Sequence, residues 1–424
     1  MMPSIKYYIQ SICVLLLCFS CVEEIPLESE SEITNYLVIE ATITDQLVKQ
    51  RVQLSRTYGL EEEGPQPESN ATINVNVSNG VEYEFEETNP GIYESISEFR
   101  ALEDLDYSMQ IITNSGTIYS SGLEKLTPVS PINNLYVERG FDENGLEGVS
   151  IFVDTFNSDE NSLNYRYEYE ETYKIIAPLY SPQELVILND DFDYPPNFFA
   201  GDTVEDIMDF FFLLQNRPEQ EQICYNTVLS DEIILASTEE LTNNDIDKFR
   251  VRFIGRNNYI MSHRYSIIVR QYVQSQEAFE YYRTLSDFSL SESVFSENQL
   301  GFLEGNVFSV SNPDEKVIGL FQVSSVSEER VYFNYSDLFP GEVLPPYANS
   351  CDDFFTPILL KEDFFHNIIG SPVIDMLNQG FQFYDLTLSM DFNPFSVTPY
   401  VLVLESCGDC TVLGENVVPD FWEE

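Results

Sequence analysis

Residues 71–85 read Ala-Thr-Ile-Asn-Val-Asn-Val-Ser-Asn-Gly-Val-Glu-Tyr-Glu-Phe. Apolar and polar residues alternate along this stretch, which is the period of a β-strand that buries one face. The alternation is interrupted by Asn79-Gly80, the strongest short signal for a two-residue hairpin turn. The segment therefore predicts two antiparallel strands joined by a tight turn.

The same kind of pattern extends on both sides of this hairpin. Strands are predicted at 36–44, 51–57, 107–113 and 117–121, separated by turns rich in Asn, Gly and Pro. Short strands at such spacing are typical of an antiparallel β-sandwich. Pro128 and Pro131 then interrupt the pattern, so we predict a sandwich over residues 35–128.

The remaining residues, 129–424, predict a larger β-rich domain. Strands are expected at 149–155, 165–176, 265–273 and 400–405, whereas short helices are expected at 204–214 and after the N-cap residue Ser275. The predicted fold class is mainly β, with an N-terminal antiparallel sandwich followed by this domain and its helical insertions.

The first two dozen residues have the pattern of a secretory signal. Lys6 precedes an apolar run at 12–19, and Ser20 and Cys21 follow it. The run is far shorter than the roughly 20 residues that span a bilayer. We predict a signal peptide over 1–20, lipidation at Cys21 and an acidic tether over 21–34; the alternative is an ordinary secretory signal with Cys21 as a free thiol.

The charge balance is extreme, with 20 Lys and Arg against 72 Asp and Glu and a net charge of −52. Such a surface repels nucleic acid, and it also repels anionic lipid headgroups. Membrane contact is therefore expected through the N-terminal lipid only. An aromatic content of 14% indicates a folded chain, because disordered chains lack such apolar mass.

Four cysteines remain after the signal and Cys21 are set aside. An even number in an exported protein predicts two disulfides with three possible pairings. The short spacing of the last two could also indicate a redox or zinc site, but neither a βαβ pattern nor a second ligand pair accompanies it. The candidate disulfide residues are Cys224, Cys351, Cys407 and Cys410.

Motifs for catalysis and cofactors are weak. The two histidines, His263 and His366, are isolated in sequence, and Gly-x-Ser-x-Gly does not occur. Carboxylates are so numerous that no catalytic pair can be selected, and the acidic loops lack the EF-hand spacing. We therefore predict no catalytic residue, metal or cofactor; Phe198 and Phe199, in a Pro-rich irregular segment, are a candidate binding surface.

Two resemblances extend this interpretation. The strands of residues 71–121 resemble the transthyretin-like or carboxypeptidase-regulatory-like sandwich of Bacteroidetes surface proteins. The Tyr-rich strand at 165–173, the segment Gly-Asn-Val-Phe-Ser-Val-Ser-Asn-Pro-Asp-Glu-Lys-Val-Ile-Gly-Leu-Phe at 305–321 and residues 407–422 resemble the Bacteroidetes outer-membrane lipoprotein family catalogued as domain of unknown function 4249.

That resemblance implies a location and a partner. Family members are often encoded beside TonB-dependent receptors, so we expect a non-enzymatic, surface-exposed outer-membrane lipoprotein that binds a ligand or such a receptor during nutrient uptake. Two alternatives stay open. One is a carboxylate-based glycan-active hydrolase, and the other is a structural or assembly factor of the envelope.

Overall fold

The computed structural model describes residues 35–58, 64–156, 164–190, 192, 203–239, 241, 245–290, 303, 305–365, 368–387 and 392–424. The predicted signal peptide, Cys21 and the tether lie outside these residues. Within them the chain is mainly β with a few short helices, as the sequence predicts. Three hydrophobic clusters organise it.

The first cluster is enclosed by one sheet, which has eleven strands among the described residues. The strands are β1 (Leu37–Thr44), β2 (Arg51–Arg56), β3 (Gln66–Pro67), β4 (Thr72–Val77), β5 (Glu82–Asn89), β6 (Ile92–Ser95), β7 (Asp106–Ile112), β8 (Ile118–Ser121), β9 (Glu124–Lys125), β19 (Val307–Ser309) and β20 (Val317–Ser324). The spatial order of nine of them is β19-β8-β7-β4-β5-β6-β2-β1-β20, while β3 pairs with β2 and β9 with β7.

The hairpin that opens the sequence argument forms as predicted. Strand β4 pairs with β5 in antiparallel register, with Asn76 opposite Glu82. Gly80 has a φ of +91°, which a residue with a Cβ rarely adopts. The alternating apolar residues of β4 and of strands at both ends of the order belong to one cluster, so the sheet folds over a single core as a sandwich.

Two strands of this sandwich come from far along the chain. Strand β19 pairs with β8, and β20 pairs with β1 in parallel over its whole length, from Leu37 opposite Val317 to Thr44 opposite Ser324. The structure thus differs from the predicted division after residue 128 and from a purely antiparallel sandwich. Hairpin patterns indicate local pairs, and the β1–β20 pair joins residues 280 positions apart.

The family-like segment at 305–321 carries this closure. Gly319 has a φ of +153°, and a Cβ there would lie 2.4 Å from the carbonyl oxygen of Ile39. A Cβ on Gly305 would lie 1.6 Å from the Gly319 carbonyl oxygen. The Asn306 amide binds both the N–H and the carbonyl of Phe321, at 2.8 and 2.7 Å. Two glycines and one asparagine thus allow the backbones to cross closely.

A second sandwich surrounds another core. One sheet has the order β10-β11-β17, and the facing sheet has the order β15-β12-β18-β21 with β16 beside β12. Buried residues from both sheets form one cluster. These strands are β10 (Asn134–Phe141), β11 (Glu147–Phe156), β12 (Asn164–Ile176), β15 (Ile223–Leu229), β16 (Ile234–Ser237), β17 (Asp245–Gly255), β18 (Arg264–Gln274) and β21 (Val326–Asn334).

A smaller third cluster is formed by strand pairs and helices. The strands are β13 (Gln183–Ile187), β14 (Phe212–Asn216), β22 (Lys361–Glu362), β23 (Ile368–Gly370), β24 (Gln382–Leu386) and β25 (Tyr400–Val403).

The described helices are α1 (Val204–Phe211), α2 (Gln276–Leu290), α3 (Tyr335–Leu338), α4 (Pro372–Leu377) and α5 (Glu405–Gly408), with 3-10 turns at Tyr259–Met261 and Cys410–Val412.

The helix predicted at 204–214 is shorter in the structure. Helix α1 ends at Phe211, because the backbone turns extended at Phe212 and pairs with β13 as β14. Both phenylalanines are buried in the third cluster. Helix α2 begins where predicted, since the Ser275 hydroxyl accepts a hydrogen bond from the Ala278 N–H at 3.1 Å.

Candidate functional site

A cleft of about 610 Å³ lies between the first and second sandwiches. One wall of the cleft is the outward face of β1 and β20. The inward face of β1 packs in the core of the first sandwich through residues such as Leu37 and Ile39. The opposite wall is formed by β12, β18 and helix α2, and the 230–233 loop contributes to its edge.

Arg166 forms the floor of the cleft. Its side chain is clamped between two tyrosines, with the guanidinium carbon 4.6 Å from the ring centres of both Tyr272 and Tyr282. Stacking between rings suits the planar, weakly hydrated guanidinium. Arg166 is only 9% exposed, and its Nε has no hydrogen-bond partner.

Arg166 in turn holds a carboxylate. Its Nη1 donates to Glu168 Oε1, and the Tyr272 hydroxyl donates to Glu168 Oε2 at 3.1 Å. The Glu168 side chain remains 40% exposed and lines the cleft. Two donors from rigid elements therefore fix the orientation of an accessible carboxylate.

Glu40 faces Glu168 from the β1 wall. Loss of water around the carboxyl raises its pKa, although the positive charges of Arg51 and Arg166 lower the pKa and the charge of Glu168 raises it further. More than a third of the Glu40 residue surface stays solvent-accessible through the cleft mouth. The cleft thus contains two carboxylates with different electrostatic surroundings.

The two walls are tied together where the chain crosses between the sandwiches. The Thr127 hydroxyl donates to the Val273 carbonyl at 3.1 Å and accepts from the Ser325 N–H at 2.8 Å. The Ser325 hydroxyl donates to the Pro128 carbonyl at 2.6 Å. These side-chain-to-backbone bonds join three crossing segments and so tie the two walls of the cleft together.

Helix α2 is anchored to the first sandwich as well. The Gln322 amide of β20 donates to the Thr42 hydroxyl at 2.8 Å and to the Tyr282 hydroxyl at 3.4 Å. Ala278 and Phe279 bury the other side of the helix. The tyrosines that clamp Arg166 are therefore positioned by both sandwiches.

The four downstream cysteines form two disulfides. Cys224 pairs with Cys410 and Cys351 pairs with Cys407, with Cα–Cα distances of 5.6 and 5.7 Å. Two disulfides are as the sequence predicts, and the structure decides among the three pairings. Both bonds fasten the C-terminal segment, the first to strand β15 and the second to the 351 loop, and neither lines the cleft.

The structure describes only some of the other positions singled out in the sequence. Cys21, Phe198 and Phe199 lie outside the described residues. His263 is half-buried beside β18, where burial lowers its pKa. The acidic loop at Asp142 is a hairpin turn, because its carboxylate accepts from the N–H groups of Asn144 and Leu146 at 2.9 and 2.7 Å.

The part of the chain that the structure describes contains neither a cluster of metal ligands nor a membrane-spanning helix. Over those residues no group of three or more His, Cys, Asp or Glu side chains converges to hold a metal ion. Likewise, none of the helices in the described ranges is long and apolar enough to cross a bilayer.

The chain belongs to the family described as "Domain of unknown function (DUF4249)", whose profile matches residues 22–330, well over half of its length. The Tyr-rich strand and the 305–321 segment fall within that match, whereas residues 407–422 fall beyond it.

No curated protein matches the chain. Among solved structures, a DUF4785 family protein from Legionella pneumophila is similar at 8% identity and a TM-score of 0.16, over 57% of this chain and 54% of that protein. The chain thus spans about half the length of that protein, and the likeness carries no argument about function.

Sequence reasoning missed the cleft for a physical reason. Arg166 and Glu168 stand on the polar side of an alternating strand, where a solvated face is the ordinary expectation. The one available signal is Tyr281-Tyr282 in a helix that directly follows the strand containing Tyr272.

Proposed function

We propose that the protein is a non-enzymatic outer-membrane lipoprotein, exposed at the cell surface, that captures a ligand in the cleft between its sandwiches during nutrient uptake. A TonB-dependent receptor is the proposed partner. The signal and Cys21 support the anchor, and resemblance to the lipoprotein family supports the receptor. The observation that carries ligand binding is the Tyr272–Arg166–Tyr282 clamp, which orients Glu168 in the cleft.

The geometry favours binding because the cleft is concave and combines polar with apolar and aromatic side chains. Binding sites are usually concave and largely formed in advance, with a few fixed polar groups among apolar and aromatic ones. Here Glu168 is the polar group held in place, and Glu40 is a second carboxylate. Ile318 and Tyr281 supply apolar surface. A rigid junction lowers the entropy lost on binding.

The anchor is tested by Cys21→Ser, with Cys18→Ser as the matched control in the same signal. We expect Cys21→Ser to release the protein from membranes and Cys18→Ser to leave it there, because two or more acyl chains give stable anchoring. Membrane fractionation followed by protease accessibility on intact cells measures both anchor and exposure. Unchanged fractionation of Cys21→Ser would refute acylation there.

The partner is tested by affinity purification from native membranes in mild detergent. We expect a TonB-dependent receptor to co-purify with the wild-type protein. Recovery of envelope assembly proteins without a receptor would instead support a structural or assembly role and overturn the uptake proposal.

A carboxylate-based glycan hydrolase is the second candidate, because Glu40 and Glu168 share one cleft and the Glu40 pKa is raised. A raised pKa suits a general acid, and a second carboxylate in the same cleft suits a base or nucleophile. Release of reducing ends from oligosaccharides, abolished by Glu40→Gln, would establish this activity and reject the non-enzymatic proposal.

A further inference from the structure

We propose that the cleft binds a neutral oligosaccharide, a ligand rich in hydroxyl groups and without net charge. This inference rests on the proposed ligand-binding function and adds the chemical class of the ligand. It is carried by the charge balance of the cleft, by the open acceptor positions of Glu168 and by accessible tyrosine rings.

Charges of both signs line the cleft. On the floor, the Arg166 guanidinium contacts Glu168, and Arg51 on the β1 side offsets Glu40. The rim adds the exposed acids of the 231–232 segment. An anionic ligand would be repelled by this rim and by a net charge of −52. On the floor, arginines already offset the charge of both carboxylates, so an ammonium group gains little there and an uncharged ligand is favoured.

Glu168 offers acceptors to that ligand. An ionised carboxylate has about four acceptor positions, and Arg166 and Tyr272 fill one on each oxygen. The remaining positions belong to a side chain that is 40% exposed to the cleft. Hydroxyl groups are the neutral donors that match fixed carboxylate acceptors, because each can donate to Glu168 and still accept from another partner.

Tyrosine rings provide the apolar complement. Tyr281 and Tyr282 meet at 88° with their ring centres 5.6 Å apart, and both are half-buried on the cleft wall. Tyr282 stacks on Arg166, whereas Tyr281, one residue earlier in helix α2, lines a neighbouring concavity with Leu320. A sugar ring has one C–H-rich face, which packs against an aromatic ring while its hydroxyls reach polar groups.

Arg166 acts through Glu168 as a positioning residue. Burying a guanidinium with an unpartnered Nε is unfavourable, and an apolar residue would fill the same space without that cost. We explain the buried position of Arg166 by the fixed orientation that it gives to Glu168. Unsatisfied buried groups of this kind concentrate where function competes with stability.

The test is calorimetric titration of purified full-length protein in mild detergent. The neutral probes are hexasaccharides of glucose, xylose and mannose, and the charged probes are hexamers of galacturonic acid and glucosamine. We expect a neutral probe to bind, Glu168→Gln and Tyr281→Ala each to weaken it about tenfold or more, and Tyr281→Phe to retain most of the affinity. Glu103→Gln, an exposed acid away from the cleft, is the matched control.

Three results would overturn the inference. They are binding of charged probes only, binding of a neutral probe that neither Glu168→Gln nor Tyr281→Ala weakens, and no binding by any probe. Capture of a charged probe would reject the neutral class while leaving the proposed uptake function intact. Unchanged fractionation of Cys21→Ser would reject the anchor while leaving the chemistry of the cleft intact.

Discussion

Replacement of Asn306 by alanine should destabilise the first sandwich, because this amide fastens the returning segment to strand β20. The Asn306 side chain accepts from the Phe321 N–H at 2.8 Å and donates to the Phe321 carbonyl and to Glu124, both at 2.7 Å. Phe321 is fully buried, so water cannot replace these bonds without opening the sheet.

The magnitude follows from the groups left behind. Leaving the Phe321 N–H buried and unpaired costs about 1–3 kcal/mol. Loss of the bond to the Phe321 carbonyl costs about 1 kcal/mol more. We expect Asn306→Ala to lower the free energy of unfolding by about 2–4 kcal/mol. With a urea dependence of about 3 kcal/mol per molar, the midpoint should fall by about 1 M.

The matched control lies six residues away. Asn312 is exposed, and its side chain accepts one long bond of 3.3 Å from the Asp314 N–H. Asn312→Ala should therefore change the unfolding free energy by no more than about 0.5 kcal/mol. Urea titration followed by circular dichroism measures both variants. Equal midpoints for Asn306→Ala and Asn312→Ala would refute the role assigned to Asn306.

Three further predictions concern the disulfides, the cleft and the domain boundary. Cys351→Ser combined with Cys407→Ser should lower the unfolding free energy by about 4 kcal/mol in the chain-entropy treatment, because the bond closes a 56-residue separation; thermal unfolding measures the loss, and a melting temperature equal to wild type would contradict it. Glu40→Gln should be more stable than wild type near pH 7 and equally stable near pH 4. The folded state raises the pKa of Glu40 above its usual value of 4.5, so ionisation of this carboxyl at higher pH destabilises the folded wild-type protein. A higher unfolding free energy for wild type than for Glu40→Gln in urea titration at pH 7 would contradict this prediction. Residues 35–128 expressed alone should self-associate, because β1 and β8 lose their partners β20 and β19 and expose unpaired edges; a monodisperse monomer in light scattering would show that the returning strands are dispensable.

Much of the fold was predictable because strand and turn signals are local. Alternation at Ile73, Val75 and Val77 with Asn79-Gly80 predicts the β4–β5 hairpin, and the structure contains it. Ser275 predicts the start of helix α2 in the same way. By contrast, the residues after Phe211 read as helix from their apolar spacing, and pairing with β13 makes them a strand.

The candidate site was less predictable than the fold. The Pro-rich aromatic segment containing Phe198 and Phe199 remains a sequence-based prediction, since it lies outside the described residues. The cleft instead uses Arg166 and Glu168, which have the pattern of an ordinary solvated strand face. Their role depends on Tyr282 from α2, 116 positions further along the chain than Arg166.

Sequence alone suffices for the mainly β class, the hairpins, the even set of downstream cysteines and the strongly acidic character, because each depends on composition or on neighbours within a few residues. The tertiary fold sets the cysteine pairing, the parallel closure of β1 by β20 and the cleft between the sandwiches. These features join residues separated by tens to hundreds of positions, and local periodicity does not predict contacts between residues so far apart in sequence. The pairing of distant strand edges depends on how the sheets fold over their cores, because that folding leaves the edges of β1 and β8 unpaired until β20 and β19 add to them.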